Sequence, residues 1–261
     1  MNAARRLSEA LAGLDRAAVA VSGGVDSLTL ATACHRALGE RVAMHHATSP
    51  AVPAEATERT RALAAAEGWA LDVFDAGEFD DPAYRANPVN RCFFCKTNLY
   101  GAVAARTSRT ILSGTNLDDL GEYRPGLQAA ERHGVRHPFV EAAIDKRAVR
   151  ALAVELGLGA LAELPSAPCL SSRIETGIRI EPPMLAMVHA AEQLVTATLS
   201  PRTVRCRVRA EGVVIELDAA TLAALDAAQS ERLAARLAAL GAPRVRFAPY
   251  RNGSAFLQAS A

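Results

Sequence analysis

The sequence predicts an α/β protein: a doubly wound, mostly parallel sheet followed by a smaller α+β domain. Three observations carry this expectation. Short apolar runs alternate with segments of helical period, a Ser-Gly-Gly turn joins the first such pair, and the composition breaks near residue 165. Residues 17 to 22 read as a buried strand and Val25 to Leu38 as a helix. Val42 to Met44 and Ala54 to Glu67 repeat the rhythm. Leu71 to Phe74 and Thr110 to Leu112 read as further strands, with a helix from Cys95 to Arg106 between them. An amphipathic helix from Asp145 to Leu156 follows, with Asp145 placed to cap it.

Pro165, Pro168, the serines after Cys169, Gly177 and the Pro182-Pro183 pair then interrupt the pattern. They predict a division into residues 1–170 and 171–261. The second part reads as a helix at Met184 to Leu199, strands at Val204 to Val208 and Val213 to Leu217, helices within Leu222 to Leu240, and a strand at Arg244 to Phe247.

The chain has 261 residues, 50% of them apolar and 22% charged, which supplies a core and excludes a disordered chain. The 29 cations against 28 acids argue against a partner chosen by bulk charge, such as nucleic acid. All but two of those cations are arginine, the exceptions being Lys96 and Lys146, and neither lies in a glycine-rich Walker A loop. No run is long and apolar enough for a membrane span, and Met1 to Leu14 lacks an apolar signal core, so a cytoplasmic protein is expected. Five cysteines, Cys34, Cys92, Cys95, Cys169 and Cys206, are an odd number and favour metal ligation or chemistry over a disulfide framework.

Ser22-Gly23-Gly24-Val25-Asp26-Ser27 lies between the first strand and the first helix. At that junction, helix amides are unpaired and favour an anion, the glycines let a phosphate approach, and Ser22 and Ser27 can donate hydroxyls. Asp26 would repel phosphate without an intervening cation, so Mg2+ is expected there. The alternative is an ordinary serine-capped turn.

This motif resembles the pyrophosphate loop of the ATP pyrophosphatases, which include GMP synthetase, NAD synthetase, asparagine synthetase and the tRNA thiolation enzymes. The resemblance implies ATP-dependent adenylation of a substrate oxygen with release of pyrophosphate. Further segments narrow it. Asn90-Arg91-Cys92-Phe93-Phe94-Cys95-Lys96, Gly114-Thr115-Asn116-Leu117-Asp118-Asp119 with Arg124-Pro125-Gly126, Pro168-Cys169-Leu170-Ser171-Ser172-Arg173, and Tyr250-Arg251-Asn252-Gly253-Ser254 are similar, in that order, to the LarE family. The match runs over nearly the whole chain. It implies a sulfur transferase that converts the carboxylates of pyridinium-3,5-biscarboxylic acid mononucleotide to thiocarboxylates, in synthesis of the nickel-pincer cofactor of lactate racemase. It also implies a homo-oligomer, with a sulfur source and a nickel-inserting protein as partners, while the charge balance and the lack of a long apolar run argue against nucleic acid and membrane.

A carboxylate becomes a sulfur acceptor once adenylation gives it AMP as leaving group. Cys169 is a candidate nucleophile, with Arg173 close enough in sequence to lower its pKa. In the sacrificial version, β-elimination of the thioester leaves dehydroalanine at Cys169, whereas a packing role for this cysteine is the bland alternative. Cys92 and Cys95 form a C-x-x-C pair and, with Cys169, match the family's three-cysteine type. Three thiolates on a [4Fe-4S] cluster would leave one iron for an extra sulfide. Zinc, an exchanging dithiol and two structural cysteines compete with that reading.

Arg205, Arg207 and Arg209 alternate along a predicted strand and so share a face, with Cys206 on the other. They suit a phosphate, or else form a solvated face; the resemblance favours Arg205 and Arg207 as phosphate ligands, beside Arg173. Gly114 joins the nucleotide loop. Asp118 and Asp119 fit either a nucleotide or Mg2+ site or an Asx turn. Cys34 and Trp69 read as core, and His45 and His46, adjacent on a strand, point apart. Two other functions remain open: tRNA thiolation, which the near-neutral charge disfavours, and an ATP-holding module without turnover.

Overall fold

The computed structural model describes residues 2–121, 125–165 and 168–256. They form two compact units: Met1–Asp81 with Asn90–Ala167, and Pro82–Val89 with Pro168–Ala261.

In the first unit, strands β1 (Ala17–Ala20), β2 (Val42–Thr48), β3 (Leu71–Asp75) and β4 (Thr110–Ser113) make one sheet in the order β3-β2-β1-β4. Every neighbouring pair is parallel, with Ala17 opposite both Val42 and Thr110. Alternation along β1 shows why the sheet is wound on both faces. Ala17 and Val19 belong to a core with Leu28, Leu30, Phe139, Val149 and Leu152, while Ala18 faces a second core with Phe74, Tyr100, Val103 and Ile111. The small side chains of β1 let layers close from both sides. Trp69 and Cys34 lie in the first core, and burial pushes the Cys34 thiol up to about 12.

Three elements of this unit depart from the sequence reading by two residues or more. β1 ends at Ala20, and the chain beyond turns into the glycine loop, although the Val21 amide still donates to the His45 carbonyl at 2.8 Å. β2 runs on to Thr48, because its ladder with β3 pairs Met44 through Thr48 with Leu71 through Asp75. The third helix starts four residues early, spanning Arg91–Arg106, so Cys92 and Cys95 both lie in its opening turns. The helix Lys146–Glu155 begins as expected, with the Asp145 side chain accepting from the Ala148 amide at 2.7 Å.

In the second unit, β5 (Val204–Arg209), β6 (Gly212–Leu217) and β7 (Arg246–Pro249) form a sheet in that order, antiparallel then parallel. Helix Pro182–Leu199 packs on β5 through Leu185, Val188, Ala191 and Val195, all buried at helical spacing. Its two prolines occupy the first turn, where missing amide donors cost nothing. The Ala-rich region splits into Ala219–Ala224 and Ala227–Ala239, because Asp226 and Gln229 form a capping box that starts the second helix.

The eight-residue segment Pro82–Val89 is built into this unit despite its early place in the chain. Asn87, at φ 54°, donates its side-chain amide to the carbonyls of Glu175 at 2.8 Å and Ile178 at 3.0 Å. Its own carbonyl accepts from the Gly177 amide, the Arg85 carbonyl accepts from the Ile180 amide at 2.8 Å, and the Tyr84 and Ser171 hydroxyls lie 2.7 Å apart.

Candidate functional site

In an open parallel sheet, ligands bind beyond the carboxyl ends of strands where the strand order reverses, here between β1 and β4. Both loops at that point are built around glycine. Gly23 has φ +79°, and a Cβ there would sit 2.6 Å from the Ala56 carbonyl oxygen. Gly114, just past β4, would place a Cβ 2.8 Å from the Ser27 amide nitrogen. Ala56 thus excludes a side chain at Gly23, and the backbone of Asp26 and Ser27 excludes one at Gly114.

Gly24 caps helix Val25–Leu38 with no side chain bonded to the helix amides. Ser27 ties the loop together. Its hydroxyl accepts from the Ser22 amide at 3.0 Å, donates to the Gly24 carbonyl at 3.1 Å, and lies 3.1 Å from the Ser22 hydroxyl. Arg59 donates to the Gly23 carbonyl at 2.6 Å. Below the loop, buried His46 donates from Nδ1 to the Val21 carbonyl at 2.8 Å and accepts at Nε2 from Thr57 at 2.9 Å. His45 points elsewhere, to Asp72 at 3.2 Å. Burial holds both imidazoles below their ordinary pKa.

Asp26 stands in the first turn of the loop's helix and is held by two groups. The Lys146 ammonium pairs with Oδ2, and Asn116 Nδ2 donates to Oδ1 at 3.2 Å. The circuit closes through Asp118. That carboxylate accepts from the Lys146 backbone amide at 3.0 Å, and the Asp118 amide donates to the Asn116 side-chain oxygen at 3.0 Å. Asp119 accepts from the Asn116 amide at 3.1 Å. Asp119 therefore serves as a local turn acceptor, whereas the Asp118 carboxylate ties its loop to the start of helix Lys146–Glu155. Asn116 and Lys146 were missed by sequence reasoning. The rarity of lysine was the signal available for Lys146. For Mg2+, the donor set fits in part, since Asp26 offers one carboxylate and that ion takes one or two beside substrate phosphates.

Cys92 and Cys95 are half-buried and three residues apart on one helix, which turns both toward the same face. Cys169 is half-buried and immediately precedes the short helix Leu170–Arg173 of the second unit. Among the described residues, no group of three or more His, Cys, Asp or Glu side chains is gathered to hold a metal ion. Cys92 and Cys95 thus make a pair in the first unit, and Cys169 belongs to the second.

Arg173 is buried, and its guanidinium is already engaged. It forms a two-point pair with Glu192 at 2.9 Å each, and donates to the carbonyls of Pro168 at 2.5 Å and Cys169 at 3.1 Å. It fixes the backbone that carries Cys169. Glu192 also accepts from the Cys206 amide at 2.9 Å, joining that loop to β5. Arg207 is buried against Glu216 at 2.9 Å and donates to the carbonyls of Ser172 at 3.0 Å and Arg251 at 3.2 Å. Arg209 reaches Glu175 at 3.1 Å and the Ser254 carbonyl at 3.0 Å. Arg205 is half-buried, 5.9 Å from the Tyr250 ring, and burial together with Arg173 lowers its pKa. On the opposite side of β5 the Cys206 thiol is buried, and its pKa is raised. Glu192 and Glu216, the counter-charges, were also missed. Each is a lone acid within an apolar element, which is the pattern of a buried ion pair. Arg124 lies outside the described residues.

The parallel sheet, its strand order and the paired glycine loops define an α/β protein of the pyrophosphate-loop class. No protein-family model matches the chain. Individual relatives do. Pyridinium-3,5-bisthiocarboxylic acid mononucleotide synthase of Lactiplantibacillus plantarum is 31% identical over 83% of this chain and 79% of its own length. An uncharacterized protein of Synechocystis, slr1717, is 40% identical over 69% of this chain and 68% of its own. Another from Methanocaldococcus jannaschii, MJ0830, is 30% identical over 41% and 43%. The chain belongs to the family of pyridinium-3,5-bisthiocarboxylic acid mononucleotide synthase, the LarE family. Among the described residues, no helix is long and apolar enough to cross a membrane.

Proposed function

We propose that this protein is an ATP-dependent sulfur transferase, inserting sulfur into pyridinium-3,5-biscarboxylic acid mononucleotide during synthesis of the nickel-pincer cofactor. The observation that carries the reading is family membership together with the uncapped, glycine-lined loop from Ser22 to Ser27. In this reading, the backbone of Ser22, Gly23, Gly24, Val25 and Ser27 cradles the ATP phosphates against Gly114, and Asp26 holds Mg2+. A substrate carboxylate oxygen attacks the α-phosphorus. The bond to the bridging oxygen breaks and pyrophosphate leaves with its electron pair, so the acyl adenylate has AMP to expel.

Arg173, Arg205 and Arg207 are assigned to the substrate side of the second unit. Arg205 would meet the mononucleotide phosphate. Arg173 and Arg207, paired with Glu192 and Glu216, would bind through exchange of those partners or orient the loop. Sulfur is assigned to Cys92, Cys95 and Cys169, either as ligands of a [4Fe-4S] cluster, which supplies a sulfide when bound, or through the Cys169 sulfur itself. The protein is taken to work in the cytoplasm as a homo-oligomer, beside proteins that supply sulfur and insert nickel.

The test is release of pyrophosphate with ATP, Mg2+ and the dicarboxylate mononucleotide, followed by intact mass and anaerobic iron and sulfide analysis. About four irons per chain, lost on changing Cys92, Cys95 or Cys169 to Ala, with unchanged polypeptide mass, support the cluster. Loss of hydrogen sulfide from Cys169 without iron supports sacrifice. No pyrophosphate release overturns the reading.

A further inference from the structure

Cys169 begins a turn that is gripped from three directions within the second unit. Arg173 holds the carbonyls of Pro168 and Cys169, Arg207 holds that of Ser172, and the hydroxyl of Tyr84 lies 2.7 Å from that of Ser171. The third hold differs from the other two. It comes from the early segment Pro82–Val89, and both residues are buried, with 1% exposure for Tyr84 and 0% for Ser171. A phenylalanine and an alanine would fill the same space. Burying a matched pair of hydroxyls adds little net stability, so the contact fixes direction more than it strengthens the fold. It is also uncharged. Where an arginine exchanges its acid for a substrate phosphate, its grip on the turn changes, whereas Tyr84 and Ser171 carry no charge for that anion to draw away. The rest of the segment secures chain farther from Cys169, through Arg85 on Glu181 and Asn87 on the carbonyls of Glu175 and Ile178.

We propose that Tyr84 is a positioning residue for sulfur transfer, its hydroxyl holding Ser171 so that the turn presents the Cys169 sulfur in one orientation while substrate binds. This rests on the reading of Cys169 given above, and it applies whether that sulfur is transferred or holds a cluster. Tyr84 acts through Ser171 and the Leu170–Arg173 turn and exchanges no proton with the substrate. Within the turn, the Ser172 amide donates to the Cys169 carbonyl at 3.0 Å and the Ile174 amide to the Ser171 carbonyl at 3.2 Å. A movement of Ser171 is therefore passed along the turn to Cys169.

Tyr84→Phe removes the hydroxyl and keeps the ring. In reduced, metal-free protein, iodoacetamide labelling read by peptide mass spectrometry is expected to modify Cys169 about fivefold faster than in wild type, the factor that one net hydrogen bond represents in a local opening, with Cys92 and Cys95 within about twofold. Unchanged labelling at Cys169 would overturn the proposal, as would equal acceleration at all three. With ATP, Mg2+ and the dicarboxylate mononucleotide, thiocarboxylate formation at saturating substrate is expected to fall about tenfold to a hundredfold, the scale of a misplaced reacting group, with half-saturation within about twofold. The Tyr84→Phe, Ser171→Ala double variant separates positioning from stability. Its two apolar side chains leave no orphaned hydroxyl, so its urea midpoint should return toward wild type while thiocarboxylate formation stays low. Recovery of both would make the pair a purely structural contact and remove the proposal. Wild-type protein that forms no thiocarboxylate removes the function proposed above, and the labelling of Cys169 then decides the role of Tyr84 by itself.

Discussion

Gly114 and Ser27 meet backbone to backbone: a β-carbon on Gly114 would lie 2.8 Å from the Ser27 amide nitrogen and 2.9 Å from the Asp26 carbonyl carbon. The end of β4 and the first turn of the loop's helix are thus held at a separation that only glycine permits. Gly114→Ala is expected to force them apart, costing about 1–3 kcal/mol as overpacking does. Thermal unfolding should show a lowered midpoint, and, under the ATP-dependent function proposed above, pyrophosphate release should fall by more than the stability loss explains. A variant with wild-type midpoint and rate would show that the contact is dispensable.

Arg207 and Glu216 form an ion pair with side chains 4% and 3% exposed. Removing one partner leaves a buried charge, so Glu216→Gln or Arg207→Met is expected to cost about 3–5 kcal/mol. Urea denaturation provides the measure. An Arg207→Met, Glu216→Leu double variant should recover part of the loss, and a double variant as unstable as the sum of the singles would contradict the pairing.

At Asn87, two effects can be separated. Alanine loses the side-chain bonds to the carbonyls of Glu175 and Ile178 and is strained at φ 54°. Glycine loses only the bonds. With roughly 1 kcal/mol per hydrogen bond and about 1–2 for the left-handed backbone, both variants should be destabilised, alanine more. Equal losses would mean that the backbone is relaxed there.

Histidine burial sets an acid limit. His45, His46 and His137 all have folded pKa values held below the usual value, with burial the largest cause in each. The unfolded chain therefore takes up protons near pH 6.5 while the native imidazoles resist. Stability from these groups is present above about that pH and is lost as pH falls below it. The urea midpoint should drop between about pH 7.5 and 5.5, and the drop should shrink in His46→Gln. An unchanged pH slope in that variant would remove His46 from the effect.

The cysteines divide by reactivity. Cys34 and Cys206 are buried with raised pKa values, whereas Cys92, Cys95 and Cys169 are half-buried. Alkylation of native, reduced, metal-free protein near neutral pH should reach the latter three and spare the former two until denaturant is added. Early modification of Cys34 would show that the first core opens.

Much of the sheet was legible because its signals are local. The Val25–Leu38 helix, the Asp145 cap and the glycine loop each follow from a few adjacent residues. What escaped reading depends on partners far away in sequence. Asp26 was expected to need a cation, and the one beside it is Lys146, 120 positions on. The arginines of β5 were readable as one face, but the acids that neutralise them, Glu216 and Glu175, were not. A strand pattern reports which side a residue faces and is silent about what another segment brings there. Helix Arg91–Arg106 began before its expected start for a related reason: its first turn carries Arg91 as a buried residue, which reads as polar in sequence.

Pro82–Val89 gives the small unit an order of assembly. Its hydrogen-bonding partners, Ser171 through Ile180, leave the ribosome long after it does, so this segment must wait unpaired while the parallel sheet around it in sequence is made. Such long-range closure is slow. A fragment beginning at Pro168 would also have no ligand for the carbonyls that Asn87 caps. The small unit is finished by chain synthesised early, and its stability is expected to depend on residues that a gene truncation at the apparent boundary would remove.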